Sequence, residues 1–206
     1  MQDLKGIKKE VAQMSSLSLE MWQTAFGAFM EHDLDLLSEA LEKENELNDM
    51  ERQITQELAE LSRYCIDRKE KSKAMIFSDI VAELELIGDY CKDILERVQI
   101  KIEEKLLFSD EAVKDYEELY RKTEAALKDV SEALDKDNAE PVKGLLTDRE
   151  HIDSTIDTYR LRHNQRVIDG VCIPLACNMF LNMIDFTAAV YQHARKIAKD
   201  ISKIKE

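Results

Sequence analysis

The chain has 206 residues, 44% of them hydrophobic and 35% charged, with a net charge of −14 at neutral pH. That balance excludes a disordered chain, and the charge argues against sequence-independent binding to nucleic acid or anionic lipid, which are held by Lys and Arg. No run of about 18 consecutive apolar residues occurs, so direct membrane insertion is not expected, and cations and basic partners are the favoured ligands.

Only five Gly and two Pro punctuate the sequence. Leu, Glu, Lys and Ala are plentiful, so long helices joined by short turns are expected. Ile7, Val11, Met14, Met21, Ala25 and Ala28 recur at helical spacing and predict a first helix from about residue 3 to 31. Asp33 is the expected N-cap of a second, which Leu34, Leu37, Leu41, Leu47, Ile54, Leu58, Leu61 and Cys65 carry to roughly Ile66. The charged stretch Asp67 to Lys71 reads as a turn before a third helix that runs to about Leu107.

Ser109, followed by Asp110 and Glu111, starts a fourth helix that continues to about Lys136. A fifth is predicted from Ala139 to Ile168 with Pro141 in its first turn, where a missing N–H is tolerated. Gly170 stops it, and Pro174 opens a sixth that runs to about Ile204. Three helices are thus followed by three more.

The halves also echo each other in detail. Phe77 to Ile94 and Phe180 to Ile197 share an apolar frame at an offset of 103 residues. The predicted fold is all-α, with six long antiparallel helices in two tandem three-helix bundles, residues 1–108 and 109–206. The acids do not survive the repetition: Glu85, Asp89 and Asp93 become Ala188, Gln192 and Lys196.

Glu85, Asp89, Asp93 and Glu96 lie along one strip of the third helix, and carboxylates so close repel unless a cation sits among them. The strip is opposite the Ile87 and Ile94 face, where acids commonly do no more than meet solvent. On the second helix, Glu44 and Glu51 fall on the same line of sevens as Leu37, Leu58 and Cys65, with Asn48 on the neighbouring line. Polar groups in such a seam either ligate toward the neighbouring helix or fix register.

Other chemistry is sparse. His163 and His193 read as satisfied core histidines, His32 sits at a turn, and only His151 has an acid, Asp148, three before it. No Glu-x-x-His unit suits a di-iron oxidase, and no glycine-bounded serine or phosphate-cradling loop is present. Cys65, Cys91, Cys172 and Cys177 lack paired CxxC spacing, which suggests reduced thiols in a cytoplasmic setting. Met179 and Met183 read as core.

Glu83-Leu84-Glu85-Leu86-Ile87-Gly88-Asp89-Tyr90 resembles the signature (acid)-Leu-Glu-Arg-Ile-Gly-Asp-(His/Tyr) of PhoU-type proteins. Glu44-Asn45-Glu46-Leu47-Asn48 resembles that family's acid-x-x-Ile-Asp element, which returns in the second copy as Glu150-His151-Ile152-Asp153. The resemblance implies a non-enzymatic cytoplasmic regulator of phosphate transport or phosphate signalling, working by contact with a membrane phosphate transporter or signalling protein, with homo-oligomerisation left open. It also implies a surface site for iron, manganese, zinc or magnesium at Glu85, Asp89 and Asp93, with Glu44 the one second-helix ligand. Leu86 departs from the family's Arg, and Asn48 from its Asp.

The stretch from Arg160 to Cys172 resembles PhoU-like domains fused behind sodium/phosphate cotransporters, which would make the chain membrane-associated through a transporter. Two alternatives stand beside this reading: a carboxylate-bridged metal-dependent enzyme, and a plain helical scaffold whose acids only solubilise it.

Overall fold

The computed structural model describes residues 3–64, 67–147 and 151–205, the side chains of His151 and Lys205 excepted. Cys65, Ile66, Asp148 and Glu150 lie outside the described residues. Every regular element described is a helix: α1 (Leu4–Glu31), α2 (Leu34–Tyr64), α3 (Arg68–Glu103), α4 (Asp110–Asp135), α5 (Lys143–Thr147), α6 (His151–Ile168) and α7 (Pro174–Lys205).

The helix starts follow from side-chain oxygens that satisfy otherwise orphaned backbone amides. Asp3 accepts from the Gly6 amide at 2.9 Å, Asp33 from the Asp35 amide at 2.7 Å, and Ser109 Oγ from the Ala112 amide at 3.3 Å. Asp67 caps α3 by accepting from the Lys69 amide at 2.8 Å, so the charged stretch expected to be a turn is already helical from Arg68.

Four of the described stops share one device. His32, Lys105, Asp137 and Gly170 take up left-handed backbone, and the next residue's amide reaches back to a carbonyl five positions earlier, as from Leu106 to Lys101 at 2.9 Å. This closure ends α3 at Glu103, four residues before the predicted stop.

The predicted fifth helix needs correction as well. Asn138 Oδ1 accepts from the Glu140 amide, forming a turn of its own, and proline disfavours helical backbone in the residue before it. Pro141 therefore lies in the approach to α5, which begins only at Lys143, and α6 follows from His151.

Packing places α1, α3, α4 and α7 in the middle, with α2 against α1 and α3 on one flank and α6 against α4 and α7 on the other. The most extensive pairing is between α3 and α7, the third helix of each sequence copy. One hydrophobic core runs through both copies, from Ile7, Met14 and Leu47 by way of Leu84 to Met183 and Ile197. Each such side chain removed from water contributes about 1.5–3 kcal/mol before chain entropy is set against it.

The helix ends are tied across copies too. At the end formed by the α1–α2, α3–α4 and α6–α7 turns, Phe108 lies 6.0 Å from Phe29 and 5.9 Å from Phe180, ring centre to ring centre. Phe180 in turn stacks on the buried His163 at 5.0 Å. Cys91 is a buried free thiol, and Cys172 and Cys177 face each other across the start of α7 with their Cα atoms 5.9 Å apart.

Candidate functional site

The two motif segments meet face to face between α2 and α3. A Cβ on Gly88 would stand 3.2 Å from Leu47 Cδ1, so the glycine of the α3 motif is what lets the Leu47 side chain seat against that helix. Leu47 belongs to the α2 motif and is fully buried. With the helices this close, the acids on either side of the contact share one field.

Glu44 is buried, at 2% exposure, and its carboxylate is committed. Lys92 Nζ donates to Glu44 Oε1 at 2.9 Å and Asn48 Nδ2 donates to the same oxygen at 3.0 Å. Asn48 thus serves as a neutral donor to Glu44. The pair with Glu44 also raises the Lys92 pKa, through the hydrogen bond first and the charge second.

Glu85 is half-buried beside Asp89, which is exposed. Burial, then the charge of Asp89 and a hydrogen bond with it, then the charges of Glu51 and Glu44, raise the Glu85 carboxyl above its ordinary value. The strip expected opposite the apolar face therefore borders the α2 seam. Asp93, a turn further, is also raised, by burial first and Glu96 second, with Arg97 opposing.

Glu44, Glu85 and Asp89 are thus drawn into one neighbourhood, while Asp93 feels the charges of Glu96 and Arg97 more strongly than that of Asp89. Among the described residues, no group of three or more His, Cys, Asp or Glu side chains is placed to hold a metal ion. In this arrangement the most buried of the expected ligands, Glu44, is paired with Lys92. What the site does have is an excess of negative charge at Glu85 and Asp89, only partly offset by Lys92.

In the second copy the corresponding contact holds one acid and no acid pair: Gln192 Nε2 donates to Asp153 Oδ1 at 3.3 Å, and Ala188 carries no charge. His193 pairs through Nδ1 with Glu83 of the α3 motif, and Lys196 Nζ lies 3.3 Å from the same carboxylate. Tyr90 packs on both Phe186 and His193, so the α3 motif looks toward α2 on one side and toward α7 on the other.

Three polar groups carry weight here that the sequence pattern does not single out. Lys92 sits within the acidic strip, and a lone lysine among acids is its only local signal. Lys101 is 3% exposed, donates to the Phe29 carbonyl at 3.1 Å, bonds His32, and is pushed by burial down to about 8. Asp115 is buried and salt-bridged to Arg162 and Arg166, each at 2.8 Å, which only the fold could bring together.

Comparison with known families fits this geometry. Residues 11–98, which hold both α2 and α3 motifs, match the family model of the PhoU domain. The PhoU fold extends over the whole chain: the structure of PhoU from Pseudomonas aeruginosa superposes with a TM-score of 0.90 at 18% identity, covering 98% of this chain and 96% of that one. The phosphate transport system regulatory protein PhoU from Streptococcus pneumoniae gives 0.86 at 15% identity, covering 98% and 94%. A PhoU-like protein from Shewanella oneidensis MR-1 gives 0.69 at 12% identity, covering 98% and 96%. No curated protein matches the sequence.

Proposed function

We propose that this chain is a non-enzymatic regulator of phosphate transport or phosphate signalling that works by contact with the transport machinery, whether that machinery is a separate membrane protein or part of the same polypeptide. The observation that carries the reading is the conjunction of a PhoU domain over residues 11–98 with a PhoU fold over nearly the full length of two PhoU structures, one of them a phosphate transport system regulatory protein. No helix among the described residues is long and apolar enough to cross a membrane, so contact with a transporter has to be made by helix faces and turns. Contact, not turnover, is the work proposed for a cytoplasmic chain of this kind.

A cation at Glu85 and Asp89 is the ancillary part of the reading. Neighbouring carboxylates relieve their repulsion by binding either a proton or a cation. Iron, manganese, zinc or magnesium there would lend positive charge, through which an anion such as phosphate could approach an otherwise acidic surface. Glu44 would join such a site only after leaving Lys92 and Asn48.

Removal of residues 1–206 alone, with any transporter portion of the same polypeptide left in place and phosphate uptake measured in rich and limiting phosphate, tests the regulatory reading: an altered dependence of uptake on external phosphate is expected, and unchanged uptake in both would sink it. Elemental analysis of protein purified without chelator, beside Glu85→Ala/Asp89→Ala, tests the cation. Metal lost in the double variant supports it; no metal in either protein after incubation with ferrous iron, manganese or zinc removes it.

A further inference from the structure

We infer that the bundle end built from the α1–α2, α3–α4 and α6–α7 turns is a docking surface for a protein segment that presents apolar side chains flanked by Lys or Arg. The inference rests on the reading of the chain as a contact regulator and gives that contact a place. The end is a single surface, since Phe29, Phe108, Phe180 and His163 link its turns ring to ring and Asp115 at the start of α4 holds Arg162 and Arg166 near the end of α6.

Its apolar content is out of proportion. Met30 and Leu34 flank the first turn, Leu107 is 78% exposed in the second, and Ile168, Val171 and Ile173 crown the third at 77%, 61% and 53%. At the opposite end, among the described residues, only Tyr64 and Met75 are large, apolar and exposed. Apolar area concentrated in this way marks a surface that another molecule covers.

Charge selects the occupant. Residues 30–35, 103–111 and 167–175 carry eight carboxylates against one lysine and one histidine. Several of these acids complement helix N-termini, yet the excess remains, and the neighbouring Arg160 and Arg162 are engaged with Asp185 and Asp115. An anionic membrane would be repelled. A second copy docked end to end would set acids against acids. A segment with apolar anchors and basic flanks satisfies both halves of the surface.

The test titrates the whole chain calorimetrically with a synthetic amphipathic helical peptide of Leu on one face and Lys on the other, a Leu/Glu counterpart, and phosphatidylglycerol vesicles. Ile168→Asp/Ile173→Asp is compared with Tyr64→Asp/Met75→Asp at the far end, all positions being solvent-exposed. The Leu/Lys peptide should bind the native chain and the far-end variant alike, at least tenfold more weakly to Ile168→Asp/Ile173→Asp, and the Leu/Glu peptide should not bind. Absence of binding, equal binding by all three proteins, or vesicle binding or self-association abolished by the Ile168 and Ile173 substitutions would overturn the inference. None of these readouts depends on phosphate uptake, so a deletion without effect on uptake would refute the regulatory reading and leave the surface to be judged on its own result.

Discussion

Lys92 on α3 and Glu44 on α2 form a 2.9 Å ion pair in which the carboxylate is buried and the lysine keeps nearly half its side chain in solvent. Removing one partner therefore has very different consequences from removing both. Lys92→Met leaves Glu44 buried with only the Asn48 amide and should cost about 2–3 kcal/mol. Glu44→Leu/Lys92→Met should recover most of that loss, because an apolar seam needs no compensation. Urea denaturation of the single and double variants checks the sign: a double variant no more stable than Lys92→Met would mean that the pair is not the relevant interaction.

Glu85 predicts a pH dependence in the opposite sense to a paired acid. Its folded-state pKa is raised, so the folded chain binds this proton more tightly than the unfolded chain does. The associated stability is present at low pH and is lost as pH rises from the unfolded value through the folded one. At pH 7, Glu85→Gln should raise the melting temperature by about 2 °C, and the gain should vanish near pH 4. A loss of stability at pH 7 would show that Glu85 is paired with a cation instead.

Lys101 works the other way on the alkaline side. Burial holds its folded pKa at about 8, below the ordinary 10.5, so the unfolded chain binds the proton more tightly between those values. Its contribution is complete above about 10.5 and is lost as pH falls through about 8. The difference in unfolding free energy between the native chain and Lys101→Met should change across that window in the native chain's favour as pH rises. A difference independent of pH from about 7.5 to about 10.5 would exclude the depressed value.

Asp115→Ala should be the most damaging of these changes. It strips Arg166, whose side chain is 12% exposed, of the carboxylate it is paired with and frees the end of α6 from α4. A loss of about 3 kcal/mol is expected, with hydrogen exchange rising first in Arg160 to Ile168. Exchange that rises uniformly would place the pair outside the local stability of α6.

The helices, their caps and the duplication are legible in the sequence because they are written locally. Asp33, Ser109 and Gly170 announce themselves by residue type and position, and the frame from Phe77 to Ile94 repeats at Phe180. Left-handed closure at Lys105 and Asp137 is not legible, since neither position carries the glycine that favours it and the gain comes from satisfying the last carbonyls. In the seam, the burial of Glu44 can be read from its line of sevens, but not its partner. Lys92 reaches it from another helix, and which face of α3 turns toward α2 depends on the contact between Gly88 and Leu47. Asp115 with its two arginines joins positions some fifty residues apart and leaves no periodic trace.

Lys196 occupies the place that Asp93 holds in the first copy, and it sits 3.3 Å from Glu83, an acid of the first copy. The second copy's drift away from acidity is therefore a complement and not a decay. A chain assembled from two identical first copies would present a carboxylate to Glu83 at that point, and a tyrosine where His193 now reaches it. The join between the halves thus depends on their differing at these positions, which makes the two halves not interchangeable.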